Sequence, residues 1–415
     1  MSRVKIVGGG LTGILAAFEA HRLGVRDIQL YERFDQLGGV ALPETRLGLE
    51  MREGCIYFGP KDDPIRTLLE AYGPTFEDFD NRFGSVSPDG AGGLTYVDDF
   101  GGPALPCHGI GLTPPAGPSL SDRLSAYPPD LRDGLTRYAR WHLGHDLKAV
   151  HGDAAIPMAI NRVFPLGSNL ADLAEIKRHD ALADELYAIP RALWGRTANL
   201  TASLPTGGFT GLLRRCRLAL EAIGVTLHDQ TLVSPRQALA EHASGEVLVW
   251  AANPTPMFKA AGVATPKLLP KSFATHVFAA AWTGARPFYV QNFTAEGACF
   301  RIYIYESAGQ TLLTAECVSE SPLTELRQEI HRLLRGFEGE LVLGDVLSTS
   351  IKPRWIYHSL EAMQGLAQLR LALADRMGDA FVAGAWEPYA KGQKFAEVNA
   401  GLAKALGVEA QAAAA

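Results

Sequence analysis

The chain lacks the marks of several functional classes. Its five cysteines (Cys55, Cys107, Cys216, Cys299 and Cys317) are dispersed, with no C-x-x-C pair. Such usage reads as reduced thiols in a cytoplasmic protein rather than a disulfide framework. The eleven histidines contain no H-x-x-x-H spacing, so no metal site is expected. No lysine/arginine block stands out and the formal net charge is −6, which argues against a nucleic-acid partner. No apolar run reaches the roughly 18 residues of a membrane span. The stretch from Lys5 to Ala17 carries four glycines where a signal peptide needs an apolar core, so it reads as strand and turn instead. What remains is an ordinary globular composition, 47% hydrophobic and 20% charged. Its 415 residues suffice for about two or three domains and specify no oligomeric state.

Against that background the first forty residues stand out. Val4 to Val7 is a short apolar strand, and Leu11 to Leu23 has helical periodicity ending at Gly24, a good C-cap. Ile28 to Tyr31 is a second strand, which makes one βαβ unit of a doubly wound sheet. Between the first strand and the helix lies G-x-G-x-x-G at Gly8, Gly10 and Gly13, with Leu11 and Thr12 opening the helix. The first glycine allows a tight turn, the second admits a pyrophosphate, and the third lets helix pack on strand. Glu32 ends the second strand at the position that bonds a ribose hydroxyl.

Later segments read as returns to the same sheet. Leu213 to Ile223 is a helix capped by Gly224 and followed by a strand, Val225 to His228. Val247 to Ala252 is a continuous apolar strand; Ala380 to Ala383 is a short one before Gly384, and Phe395 to Leu406 is a closing helix. The cofactor domain is therefore expected from 1–72, 205–260 and 371–412, and the substrate-binding insertions from 73–204 and 261–370. Within the insertions, Phe83 to Val86 and Leu94 to Val97 form a strand pair, and 131–190 is mainly helical. Four alternating runs between 270 and 320 suggest an antiparallel sheet roofing a substrate pocket. The fold class is α/β: a discontinuous Rossmann-like domain with an inserted α+β domain.

Glu32-Arg33, followed after four residues by Gly38-Gly39 and Val40, resembles the E-R-x-x-x-x-G-G signature of flavoprotein amine oxidases and their relatives. That resemblance implies FAD, with the double glycine close to the pyrophosphate and the next residue running past the flavin ring. Within this superfamily, later segments resemble the UDP-galactopyranose mutases. They are Tyr187 to Gly195, with Trp194; Leu204 to Thr210; Gln291-Asn292 with Arg301-Ile302; and Gly384 to Tyr389. The resemblance implies Trp194 in the substrate pocket, Arg301 on a substrate phosphate, and Tyr389 near substrate and flavin. It also implies Val233 against the adenine and Gly384 beside the ribityl chain and pyrophosphate. Other features depart from it. Gly54 to Gly59 lacks the two histidines of G-P-H-x-F-H, nine residues between Gly195 and Pro205 leave no room for R-x-P-V-R, and Ala385 replaces an arginine.

The bland reading of Arg301 is a solvent-facing residue on a half-buried strand, and at most one of Tyr303 and Tyr305 is expected on its face. His276 reads as a core histidine. The functional expectation is an FAD-dependent oxidoreductase that passes a hydride from a small polar substrate, a nucleotide sugar being one candidate, to flavin N5. The alternatives are a mutase-like, redox-neutral isomerase working through reduced flavin and a flavin-binding protein without turnover.

Overall fold

A strand, β1 (Arg3–Val7), a helix, α1 (Leu11–Arg22), and a second strand, β2 (Asp27–Tyr31), open the computed structural model as the βαβ unit that the periodicity predicts. The structure describes residues 3–54, 57–81, 83–98, 104–106, 110–166, 170–188 and 201–408. A hairpin of β3 (Glu44–Arg46) and β4 (Leu49–Met51) follows, then α2 (Pro64–Ala71), whose N-cap Asp63 accepts from the Ile65 and Arg66 amides. The chain then leaves the first sheet through β5 (Phe76–Asp80), β6 (Phe83–Pro88), β7 (Leu94–Asp98) and β8 (Ala104–Pro106). A helical stretch contains α3 (Leu120–Ser125), α4 (Pro129–Leu143), the short strand β9 (Phe164–Leu166), α5 (Leu170–Lys177) and α6 (Ala181–Leu186).

The return runs through β10 (Thr201–Pro205), α7 (Gly208–Ala222), β11 (Thr226–His228), α8 (Pro235–Ala240), β12 (Glu246–Trp250) and α9 (Thr255–Ala260). A second excursion follows: β13 (Leu269–Trp282), β14 (Phe288–Asn292), β15 (Cys299–Ser307), β16 (Gln310–Cys317), α10 (Leu323–Leu334) and β17 (Leu341–Tyr357). The chain ends with α11 (Leu360–Met377), β18 (Phe381–Ala383) and α12 (Lys391–Leu406).

Two sheets organise these pieces. The first is five-stranded and parallel, in the order β11-β2-β1-β12-β18. Its strand β12 is buried on both faces, as an unbroken apolar run requires, and α1, α7 and α12 pack on one side of the sheet. The second is seven-stranded, in the order β17-β13-β16-β15-β14-β6-β7. It is antiparallel except where β6 runs parallel to β14. The expected strand pair and the four alternating runs all belong to it, while α3 to α6 pack on one face and α10 on the other. Two long elements, β17 and α11, are additions to the expected map. The helix expected to begin at Leu213 starts earlier, at Gly208.

Candidate functional site

Three chain segments meet at the carboxyl ends of the parallel strands, between β1 and β12. There the strand order reverses, which is where such sheets bind ligands. After β1 the chain turns at Gly8, whose φ is +108° and where a Cβ would come 2.8 Å from the Ala252 amide nitrogen. Gly13 in the first turn of α1 is tighter still, because a Cβ would stand 1.9 Å from the Gly8 carbonyl oxygen. Gly384, after β18, lies against β12, a Cβ there meeting Ala251 Cα at 2.6 Å. At Gly10 a Cβ would find nothing nearer than 3.9 Å, so this glycine keeps space open rather than avoiding a clash.

The double glycine completes the cradle. Gly38 donates to the Gly9 carbonyl at 2.8 Å and forms an isolated parallel bridge with Gly10. Its φ of +128° and Gly39's of +54° are backbone states that suit glycine. The Glu32 carboxylate is buried and accepts from the Gly9 amide at 2.7 Å and the Phe34 amide at 3.0 Å. Its charge thus holds the glycine turn in place. The N-cap of α1 is Gly10, with no side-chain cap and no acidic residue in the first turn. The leading amides of α1 therefore face the cleft without an intrahelical acceptor, an arrangement suited to a diphosphate.

The seven-stranded sheet faces this cradle with a polar and aromatic surface. Arg301, Tyr303 and Tyr305 are two residues apart along β15 and share one face, the two tyrosine rings stacking at 4.8 Å. The expectation that the tyrosines would lie on opposite faces is therefore corrected. Arg301 is buried and ion-paired to Glu316 on β16, so its solvent-facing reading is also wrong. Burial works against its charge, but the Glu316 carboxylate and Tyr289 raise the guanidinium well above its usual range. Tyr289 donates to Gln291 at 2.6 Å, and Gln291 donates to Tyr138 at 2.7 Å. His142 on α4 lies 2.8 Å from the Tyr357 hydroxyl, and burial, with Arg301 and Lys271, lowers its pKa far enough to keep it neutral. Tyr389 accepts from the His358 amide at 2.8 Å.

A second arginine lies nearer the cradle. Arg52 follows β4, and its guanidinium sits 5.1 Å from the Tyr305 ring centre and 5.5 Å from that of Phe209. The Glu50 carboxylate beside it accepts from the Phe209 and Thr210 amides at 3.1 and 2.7 Å, capping α7. A Cβ at Gly208 would come 2.5 Å from that carboxylate, so the second glycine of Leu204-Pro-Thr-Gly-Gly-Phe-Thr serves this cap.

Comparison with known proteins agrees with the cradle. Residues 6–72 match the NAD(P)-binding Rossmann-like domain family. Tryptophan 2-monooxygenase of Pseudomonas savastanoi is 36% identical over 75 residues, 17% of this chain and 14% of that protein. Its counterpart in Pantoea agglomerans pv. gypsophilae is 56% identical over 39 residues, 9% of this chain and 7% of that one. The match thus spans a small part of each relative's length. Among solved structures, reduced UDP-galactopyranose mutase superposes with a TM-score of 0.67 at 13% identity, covering 99% of this chain and 97% of its own. A triple variant of putrescine oxidase, redesigned for cofactor binding, gives 0.55 at 15% identity, covering 98% of each chain. The chain has the fold of the flavin-dependent oxidoreductases.

Within that fold Gly8, Gly10, Gly13, Glu32, Gly38 and Gly39 pack against one another, Gly8 and Gly384 both lie against the end of β12, and Leu11 and Thr12 open α1. Val40 is fully exposed beside Gly39, and Arg33 lies over the Phe34 ring at 4.5 Å. Val233 is buried beyond β11, in the same apolar cluster as Trp250 and Trp386. Arg301 and Tyr389 both act electrostatically on Tyr357. Trp194 lies outside the described residues. Sequence reasoning missed Glu50, Arg52, Glu316, His142 and Tyr357. None sits in a recognisable motif, and only the pairing of distant strands and helices brings them together.

Proposed function

We propose that this chain is an FAD-dependent oxidoreductase that oxidises a C–H bond of a small polar substrate. Bound FAD would supply the hydride acceptor, N5 of its ring. The observation that carries this reading is the crevice in which Gly8, Gly13, Gly38, Gly39 and Gly384 bring backbone together without side chains. It faces a sheet whose polar groups are buried and mutually bonded. In this reading the α1 amides hold the diphosphate, Glu32 the adenosine ribose, and Val233 packs on the adenine. Gly384 and Val40 border the ribityl chain and ring. Tyr389 lines the substrate side, with Trp194 as a further wall. Arg301, tied to Glu316, sets the charge of that wall.

Purified protein reconstituted with FAD should be yellow and retain the flavin through gel filtration. Preparations that take up none would sink the proposal. A substrate panel followed by oxygen uptake and by dye reduction then tests the oxidation. If a nucleotide sugar is isomerised only after dithionite reduction, the chemistry is redox-neutral and the oxidoreductase reading fails.

A further inference from the structure

We propose that Arg52 is the receptor for a carboxylate group on the substrate. The proposal rests on the preceding reading of the glycine cradle as the flavin site, and takes the side of it that meets β15 as the substrate side.

The argument starts from donors and acceptors. A guanidinium offers five N–H groups and cannot shed its charge. Arg52 is only 9% exposed, yet its contacts are long: 3.5 Å from Nη1 to the Tyr303 hydroxyl and 3.5 Å from Nη2 to Glu50. Its Nε is buried with no hydrogen-bond partner among the described residues. Glu50 reaches only the Nη2 end of Arg52, and its two oxygens also accept the Phe209 and Thr210 amides at the start of α7. The one Glu50 carboxylate thus serves both the start of α7 and the Nη2 end of Arg52, and no hydrogen bond among the described residues reaches the Nε side. Arg301 shows the contrast: it is as deeply buried but has Glu316 as its own counter-ion. A buried charge with unmet donors is costly unless something fills them.

The position fits a substrate group. Phe209, under the guanidinium, lies one helical turn from Leu213, and a Cβ at Gly38 would come 2.4 Å from Leu213. Arg52 thus stands one turn of α7 away from the double glycine. Its backbone is clamped, the amide donating to the Tyr305 hydroxyl at 2.8 Å and the carbonyl accepting from Thr314 at 2.7 Å. The Nε–Nη edge is the planar fork that matches a carboxylate with two parallel hydrogen bonds. Aromatic side chains of Phe209, Tyr305 and Tyr303 lie against it, and the Tyr57 ring packs on Tyr303 at 5.9 Å. One cation in a flat aromatic box suits a monoanion with an apolar body better than a doubly charged phosphate.

The test uses calorimetry on the FAD-reconstituted chain with three probes: phenylacetate, its neutral isostere phenylacetamide, and UDP. Phenylacetate should bind at least about tenfold more tightly than the amide, the worth of one charge-assisted hydrogen bond. Arg52→Gln should erase that preference while FAD content stays unchanged, and Arg52→Lys should keep part of it. Equal binding of acid and amide, no binding of phenylacetate at millimolar concentration, or an unchanged preference in Arg52→Gln would each overturn the proposal. So would binding of UDP alone. If Arg52→Gln does not fold, an undiminished preference in Arg52→Lys overturns it equally. Protein that takes up no FAD would defeat the oxidoreductase reading, and the same titration on flavin-free protein would still decide Arg52.

Discussion

The glycines of the cradle are not equivalent, and their difference is measurable. Gly13→Ala places a methyl 1.9 Å from a backbone oxygen that has nowhere to go. Stability should fall by about 1–3 kcal/mol or more, seen in urea unfolding. Gly10→Ala adds its methyl where the nearest atom is 3.9 Å away, at an extended φ of −69° that alanine adopts easily. Its stability should stay near wild type while FAD affinity collapses, because the methyl occupies the diphosphate's path. His142 gives the clearest pH effect. Burial, then Arg301 and Lys271, lowers its folded-state pKa, whereas the unfolded chain takes up a proton near the ordinary 6.5. The unfolded state thus binds more protons below that pH. Stability due to this group is complete above pH 6.5 and declines by up to about 1.4 kcal/mol per pH unit as the solution is acidified. Unfolding free energies between pH 5 and 7.5 should show this slope reduced by one proton in His142→Gln. A residual slope should remain, because His21, His276 and His358 are shifted in the same direction by burial. The glycine roles were legible in the sequence because G-x-G-x-x-G constrains backbone shape locally. His142 was not, because its neutrality depends on Phe273, Phe300 and Tyr357, which come from three distant strands.

At the scale of elements, the turn from Gly384 to Tyr389 is held by the helices on either side of it. Arg370 on α11 grips Glu387 with Nε at 2.6 Å and Nη2 at 2.5 Å, reaches Glu397 on α12, and lies 5.8 Å from the Trp386 ring centre. Trp386 in turn donates to the Trp250 carbonyl at 3.2 Å, pinning the turn to β12. Replacing Arg370 by Met should cost about 1–2 kcal/mol, the lower range for an ion pair whose arginine remains 34% exposed. Flavin should also dissociate faster on dilution, since Glu387 loses the group that aligns the turn. Periodicity identified the closing helix but not α11, whose apolar positions are interrupted by Gly365 and several polar residues. It also missed β17, which runs along the sheet edge with register shifts against β13 and many exposed side chains. An edge strand lacks the buried, regular alternation by which the central strands β15 and β16 are recognised.

For the whole molecule, the cradle and the seven-stranded sheet are joined through few covalent connections but share buried groups. Arg52 and Glu50 from the first part meet Tyr303, Tyr305, Ser307 and Thr314 from the second. A cofactor bound at that seam should stabilise both parts together. Thermal unfolding should therefore stay one transition and move upward with FAD, by the equivalent of about 2.7 kcal/mol at a hundredfold excess over Kd. Two separate transitions, only one shifted by FAD, would show that the parts do not act as one.

The sequence by itself determined the nucleotide cradle. G-x-G-x-x-G, the acidic end of β2 and the double glycine are short-range constraints: Gly8, Gly38 and Gly39 take positive φ, Gly10 and Gly13 leave space for neighbours, and Glu32 bonds the turn's own amide. Tertiary structure alone decided the substrate side. Arg301 became a paired interior charge because β16 brings Glu316 opposite it. Among the described residues Arg52 keeps an unbonded Nε because Glu50, which also caps α7, reaches only its Nη2 end. Which charge is satisfied and which is left to meet a ligand depends on the competition among partners. Residues far apart in the chain settle that competition only when they pack.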